Sequence, residues 1–330
     1  TSAAISLTNV TALASSSLSD LGTLATAIGN NEFSNATGLT TIAVSDGTIA
    51  ADTLAARIDS FDTINGVGET TNMTLASGAT INVSSGEIAA MLDDEGDGRL
   101  TISNQNINVD TGTISVDTAN DLDATTSGAI TASITTTETV SELKTLTGTH
   151  AYTIVIAAGD AETSTADDLN TINGKTSVAI NAAAITDLAS DNITNIQTLL
   201  TAGNDTDQFT AASFGSLETA IVNDTTLDGS KLADAIDQAN TATDDTSVVF
   251  TITAVSEIQG SEENFTALLT DNDNNQINIV NHDLNVNSGT ISVDNANLLD
   301  AATGGDVTAS IDTTETVSEL KTLTGTHAYT

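Results

Sequence analysis

Two short acidic stretches hold the densest oxygen chemistry in this sequence. Leu92-Asp93-Asp94-Glu95-Gly96-Asp97-Gly98 sets acidic side chains at alternate positions, Asp93, Glu95 and Asp97, and then stops on glycine. The corresponding place later in the chain reads Asp271-Asn272-Asp273-Asn274-Asn275 and offers Asp271, Asp273 and Asn275. Hard divalent cations need clustered oxygen ligands, and alternate spacing in a tight loop gathers them. The spacing therefore predicts calcium at Asp93, Glu95, Asp97, Asp271, Asp273 and Asn275. The competing reading is a polar turn, since Asp and Asn favour bends. Neither loop has a Glu at its twelfth position, and the first is shifted by one residue against the second. The broader expectation is diffuse screening by divalent ions, with no cofactor required and Ca2+ as the one candidate.

Other reactive constellations are sparse. With no Cys there are no disulfides, thiolate metal sites or Cys nucleophiles. His150 and His327 occupy one repeated phrase, GTHAYT, and His282 stands where the other repeat has Gln105. A catalytic histidine would not be duplicated along a scaffold or exchanged for glutamine, so these read as turn or strand-edge residues. Gly174-Lys175-Thr176 ends like a phosphate loop, but the pattern needs Gly five positions earlier and Leu169 is there. No carboxylate pair stands in an apolar, pKa-shifting context. The sequence predicts no enzyme. Asn-x-Ser/Thr triplets at Asn9, Asn35, Asn72, Asn82, Asn192, Asn204, Asn223 and Asn264 are frequent in any chain this rich in Asn, Ser and Thr, and matter only in a secretory context.

The charge restricts partners. Among 330 residues, 45 acids oppose 6 bases, a net charge of −39. Nucleic acid and anionic membranes are disfavoured, because phosphate binding needs clustered Lys and Arg. No apolar run approaches the roughly 20 residues of a membrane-spanning helix. Pro and Trp are absent and aromatics are 2% of residues, yet 39% are hydrophobic. Ala, Ile, Leu and Val must therefore build a thin, regular core.

Repeats organise the chain. Glu138–Thr153, ETVSELKTLTGTHAYT, recurs letter for letter as Glu315–Thr330, at an offset of 315 − 138 = 177. Ile102–Thr153 against Ile279–Thr330 gives 39 identities in 52 positions. Weaker matches follow in register: Met73-Thr74-Leu75 with Phe250-Thr251-Ile252, and Leu54, Ile58 and Asp59 with Leu232, Ile236 and Asp237. The opening TSAAI matches TSVAI at Thr176. Residues 1–330 thus read as about 1.9 copies (330/177) of one unit, a partial copy over 1–153 and a full copy over 154–330.

Each unit is subdivided. Short β-branched runs alternate with helical runs that end near Gly: Ile130–Ile134, then Thr139–Leu146 and Gly148; Tyr152–Ile156, then Ser164–Ile172 and Gly174; Ser177–Ile180, then Ile193–Leu200 and Gly203. Thr139-x-x-Glu142, Thr316-x-x-Glu319 and Ser84-x-x-Glu87 are capping boxes. Terminal Gly, or Asn275 in place of Gly98, supplies the left-handed residue that closes a helix. Helices this short are unstable alone and need a neighbour above and below. The predicted fold is a repeat solenoid: stacked coils of about 30 residues, each a short parallel strand region plus a short helix, with Ile114, Val116, Ile130, Ile134, Ile154, Ile156, Val178 and Ile180 in the strands. The alternative is a string of β-sandwich domains. Both ends fall inside coils, which predicts that the terminal coils continue into more protein or a head-to-tail neighbour.

The phrases GTISVD-x-A-N-x-L-D-A, TVSELKTLTGTHAYTI and STADDLNTINGKTSVAI resemble tandem repeats of very large surface-exposed proteins of marine cyanobacteria and other aquatic bacteria, and similar repeats occur in phage fibres. The resemblance covers roughly half the chain and transfers no functional residue. It implies an extracellular, adhesin-like, S-layer-like or matrix-forming role. The expected function is a structural segment of a long, secreted, acidic fibre whose partners are copies of itself or further repeats. The rival is an adhesin stalk or phage fibre that binds surface glycan.

Overall fold

The computed structural model describes residues 4–34, 37–66, 70–243, 247–253 and 257–330. Thr1-Ser2 and the triplet at Asn35 lie outside the described residues. The chain divides into two compact units, residues 1–135 with 145–153, and residues 136–144 with 154–330. Both are α/β, and all strand pairings among the described residues are parallel.

The first unit carries helices α1 (Leu18–Gly29), α2 (Ala51–Asn65), α3 (Ile88–Gly96) and α4 (Val116–Thr125). One sheet orders the strands Ala12–Ser16, Thr41–Val44, Asn72–Leu75 and Leu100–Thr101. A second orders Thr48–Ala50, Thr80–Ser84, Asn106–Thr111, Ile130–Ser133 and Ala151–Thr153. Each strand therefore pairs with the strand one helix later. Alternation decides which face is buried: in Thr80–Ser84 (TINVS), Ile81 and Val83 point into the core. In register, Ile81 sits between Ile49 and Ile107, and Ile107 sits beside Ile130, all of them buried. The outward positions bond polar to polar, as Asn108 Nδ2 donates to Asn82 Oδ1 (2.9 Å) and Thr101 Oγ1 donates to Asn72 Oδ1 (3.0 Å).

The second unit carries α5 (Val140–Leu143), α6 (Ala166–Asn173), α7 (Ile193–Gly203), α8 (Gly229–Thr243), α9 (Glu262–Asp273), α10 (Val293–Ala302) and α11 (Val317–Leu320). Its sheets order Asp187–Asp191, Thr219–Val222 and Val249–Ile252, and then Thr226–Asp228, Glu257–Ser261, Asp283–Ser288, Val307–Ala309 and Ala328–Tyr329. Leu227, Ile258, Leu284 and Val307 form the buried row here.

The step between paired strands shortens in nearly the same way in the two five-stranded sheets, differing by one residue at the first step. In the first it runs 80 − 48 = 32, 106 − 80 = 26, 130 − 107 = 23 and 151 − 131 = 20 residues. In the second it runs 257 − 226 = 31, 283 − 257 = 26, 307 − 284 = 23 and 328 − 308 = 20 residues.

Several local assignments differ from the sequence reading. Val116 is the first residue of α4, because the Ser115 hydroxyl caps Thr118 N–H and starts a helix there. Ser177–Ile180 forms only an isolated bridge at Ile180, and the strand instead runs over the polar segment Asp187–Asp191. Gly98 and Asn275 are left-handed (φ 73° and 61°), as are Gly148 and Gly325 (φ 67° and 70°). Gly174 is right-handed at φ −71° and closes α6 as an ordinary cap. Gly128 and Gly305 are required for another reason: a Cβ there would lie 2.2 Å from the Gln105 carbonyl oxygen and 2.5 Å from that of His282.

One pair of equivalent helices differs in burial. On α5, which packs against α6, Val140 is 5% exposed and Leu143 1%. On α11, of identical sequence, Val317 is 70% exposed and Leu320 41%. Leu143→Asp is expected to lower urea-unfolding stability by about 3–4 kcal/mol, since it buries an unpaired charge, whereas Leu320→Asp is expected to stay within about 0.5 kcal/mol. Equal losses at both positions would contradict this packing.

Candidate functional site

Helix geometry separates the acidic residues that alternate in sequence. Asp93 and Glu95 lie in the last turn of α3 and Asp97 is its C-cap. Residues two apart on a helix sit about 200° apart around its axis, so Glu95 does not share a face with Asp93 and Asp97. Asp271 and Asp273 lie in the last turn of α9, with Asn275 in the left-handed position just beyond its C-cap. Among the described residues, no group of three or more His, Asp or Glu is close enough to hold a metal ion.

What α3 does assemble is an ion cluster around Arg99. Its guanidinium lies 2.6 Å from Asp94, 3.5 Å from Asp62, 3.7 Å from Asp97 and 3.9 Å from Asp59. Burial pushes the Asp94 carboxyl above its ordinary range, and the Arg99 charge pulls it partly back. The left-handed Gly98 turns the chain so that Arg99 N–H donates to the Asp94 carbonyl (2.8 Å).

The second unit repeats the geometry with different charges. Gln276 stands for Arg99, Asn240 for Asp62, Asp271 for Asp94 and Asp237 for Asp59. Gln276 Nε2 donates to Asn240 Oδ1 at 2.6 Å, so a neutral amide pair replaces the Arg–Asp pair. Asp271 keeps its place but loses the cation. Burial first, and then the Asp237 charge, push its carboxyl up to about 6. No local spacing singles out Arg99, Asp94 and Asp62, but aligning the two repeats shows the paired exchange of Arg99 for Gln276 and Asp62 for Asn240.

Other carboxylates serve the helices. In five places an acid 20 to 31 residues further along the chain accepts from an N–H in the first turn of a helix. Leu18 N–H donates to Asp46 (2.7 Å) in the first unit. In the second, Val140 donates to Asp160 (3.2 Å), Asp167 to Asp191 (2.7 Å), Ile193 to Asp224 (2.7 Å) and Val293 to Glu315 (3.0 Å). Asparagines add bridges: Asn120 accepts from Thr147 N–H (2.8 Å) and donates to the Thr145 carbonyl (3.1 Å), and Asn297 repeats this with Thr324 and Thr322. Basic residues act alike, with Lys144 Nζ on Asp168 (2.5 Å), Arg57 Nε on the Leu18 carbonyl (3.0 Å) and Lys231 Nζ on Thr194 Oγ1 (2.9 Å).

The His–Asp pairs resemble half of a catalytic dyad, but their bonding is structural. His150 Nε2 faces Asp123 at 2.6 Å while its Nδ1 accepts from Ile130 N–H at 3.3 Å. A ring nitrogen that accepts from a backbone N–H is unprotonated there, so the other carries the proton to Asp123. His327 makes the same two contacts, with Asp300 and Val307 N–H. Both nitrogens are engaged, one with a carboxylate and one with a backbone N–H. His150 is the first cause holding Asp123 below its ordinary range. For Asp300, Thr324 comes first and His327 second.

A groove of about 730 Å³ in the second unit is lined by Asn272, Asn275, Asn278, Asn281 and His282, with apolar Val249 and Val280. It brings Asn275 beside other amides, and its described lining contains no carboxylate.

Two outcomes follow from the twin clusters. Arg99→Gln alone is expected to destabilise the first unit by about 2 kcal/mol, because Asp94 and Asp62 lose their cation. Adding Asp62→Asn, which reproduces the Gln276–Asn240 pair, is expected to restore most of that in urea melts; a double variant as weak as the single would exclude the compensation. For Asp271 the folded pKa lies above the ordinary 3.8, so its contribution to stability is intact below that value and is lost as pH rises through about 6. Asp271→Asn should therefore match the parent near pH 3.5 and melt higher near pH 7, by about 1 kcal/mol after allowing for its partial exposure. An equal difference at both pH values would refute this origin.

No protein-family model matches the sequence, and no curated protein matches it, so these side chains carry the functional reading.

Proposed function

We propose that the chain is a structural segment of a secreted, acidic repeat fibre: a solenoid of stacked strand–helix coils whose role is length, stiffness and surface charge, placed at a cell surface or in an extracellular matrix. The observation that carries the reading is the use of the polar side chains. Asp46, Asp160, Asp191, Asp224, Glu315, Asn120, Asn297, Arg57, Lys144 and Lys231 bridge one coil to the next. Side chains so engaged hold an array together and are not free to turn over a substrate. The matching step lengths of the two five-stranded sheets and the letter-for-letter repeat of Glu138–Thr153 support the same reading, since an array extends by copying an interface. Partners under this proposal are further repeats or other copies of the chain. Calcium acts mainly by screening, because a net charge of −39 repels itself.

Electron microscopy of the native material at low ionic strength tests this. Thin filaments of uniform width are expected, fraying when divalent ions are chelated and recovering in roughly 0.15 M salt, where the Debye length falls to about 8 Å. Discrete compact particles, unchanged by chelation, would overturn the proposal.

A further inference from the structure

The amide-lined groove beside Val249–Ile252 arises from a group of exchanges against the other repeat. In the first unit the positions 177 residues earlier bond to one another. Asn72 Nδ2 donates to the Gly98 carbonyl (2.8 Å), and Thr101 Oγ1 donates to Asn72 Oδ1 (3.0 Å). The buried Gln105 amide bridges the rest. Its Nε2 donates to the Leu75 and Ala76 carbonyls (3.3 and 3.2 Å), and its Oε1 accepts from Ser103 and Asn104 N–H (2.8 and 3.2 Å). In the second unit Val249 stands for Asn72, Asn278 for Thr101, Val280 for Ser103 and His282 for Gln105. Glu95 and Gly98 become Asn272 and Asn275, and Asn104 is kept as Asn281. A neutral imidazole has one donor and one acceptor, so His282 cannot make all four of the Gln105 bonds. Val249–Ile252 is the last strand of its three-stranded sheet, and beyond it Phe250 bridges to Ile277. This edge lies inside the chain, because the following strand, Asp283–Ser288, joins the five-stranded sheet instead.

We propose that this groove is a binding site for a neutral saccharide. Its walls combine the two chemistries that a sugar ring presents. Asn275, Asn278 and Asn281 are exposed and Asn272 is half-buried. Asn272 and Asn278 spend Oδ1 on Ile279 and Val280 N–H (3.3 and 3.0 Å), which leaves their Nδ2 groups for a ligand. The Asn275 and Asn281 side chains have no hydrogen-bond partner among the described residues. Sugar hydroxyls both donate and accept, and so do these amides. Val249 and Val280, 39% and 48% exposed, stand among them and suit the C–H face of a ring. The volume of about 730 Å³ is ordinary for a small-molecule site. The described lining holds no carboxylate to attract a cation, and a net charge of −39 disfavours an anion, so a neutral ligand is selected. The aromatic ring in the lining, Phe250, is buried and offers no platform, which makes the affinity weak. The residues exchanged here are separate from those that bridge the coils, and the inference goes beyond the fibre reading.

Saturation-transfer NMR on the full chain tests this, with maltotriose, cellotriose and laminaritriose as neutral probes and trigalacturonic acid as their anionic counterpart. Transfer to at least one neutral trisaccharide is expected, with a Kd on the order of 1 mM. The anion is expected to bind at least about 10-fold more weakly. The combined variant Val249→Asn, Val280→Ser and His282→Gln places the first unit's residues at the groove, and is expected to weaken binding at least about 10-fold. Asn281→Ala changes an exposed side chain and keeps the test decisive should the combined variant fail to fold. It is expected to weaken binding about 3- to 5-fold, the loss of one hydrogen bond. Absence of transfer to all three neutral probes would overturn the inference. Binding that survives both variants would place the sugar elsewhere and overturn it equally. Tighter binding of trigalacturonic acid than of the neutral probes would contradict the chemistry. Self-association that the combined variant abolishes, without sugar transfer, would give the groove to a second copy of the chain and overturn the assignment. None of these outcomes touches the fibre reading, which the microscopy decides.

Discussion

A hydrogen bond from a helix's first turn to a carboxylate 20 to 31 residues further along the chain is the interaction on which the rest of the structure depends. The helices are short, from four residues in α5 and α11 to fifteen in α2 and α8. Each helix leaves its first N–H groups without an internal partner and carries a partial positive charge at that end. Asp46, Asp160, Asp191, Asp224 and Glu315 answer both needs. Such a cap is worth about 1 kcal/mol, small for one helix but repeated at five of them. It also demands register, because the acid reaches the N–H only when its own segment is correctly placed.

That demand explains why strand-to-strand steps of different length can share one pairing pattern. The step between paired strands falls from about thirty residues to 20 in both five-stranded sheets, while the helix within the step falls from fifteen residues to four. What stays constant is the buried row of Ile, Leu and Val and the bonds across it. Where a shorter coil must run close to its neighbour, side chains disappear: Gly128 and Gly305 sit against the carbonyl oxygens of Gln105 and His282, where any Cβ would collide.

Much of this was legible in the sequence. Repetition placed equivalent residues, the boxes at Thr139 and Thr316 capped helices as read, and Asn275 took the left-handed conformation of Gly98. The box at Ser84 instead bonds Glu87 one turn before α3, whose first residue is Ile88. Local pattern failed where two elements share an alphabet. Val116 alternates with Ile114 as in a strand, but the Ser115 hydroxyl turns the chain into α4. Asp187–Asp191 has no β-branched residue and is a strand only because Thr219–Val222 pairs with it. The alternate acids of Asp93, Glu95 and Asp97 read equally as a ligand loop or a helix end. Burial of Met91 and Asp94 on the inner face of α3 places the first two on a helix. The Arg99 cluster joins residues 59 to 99, a separation that no local window spans.

The two repeats supply the two end states of a double-mutant cycle within one chain. Between them Arg99 becomes Gln276 and Asp62 becomes Asn240, so one positive and one negative charge leave together and the amides bond in their place. The buried acid stays, as Asp94 in one and Asp271 in the other, and its environment answers the change. Beside Arg99 the effect of burial is partly cancelled; beside Asp237 alone the carboxyl rises to about 6. A chain with 45 acids and 6 bases cannot neutralise its charge pair by pair. It places carboxylates where helix ends, amides or a rare guanidinium already wait, and leaves the remainder to solvent. The acidity is thus part of how neighbouring strand–helix segments are held together as well as a property of the surface. A polyanion with the same composition but a different register would lose the caps and keep only the repulsion.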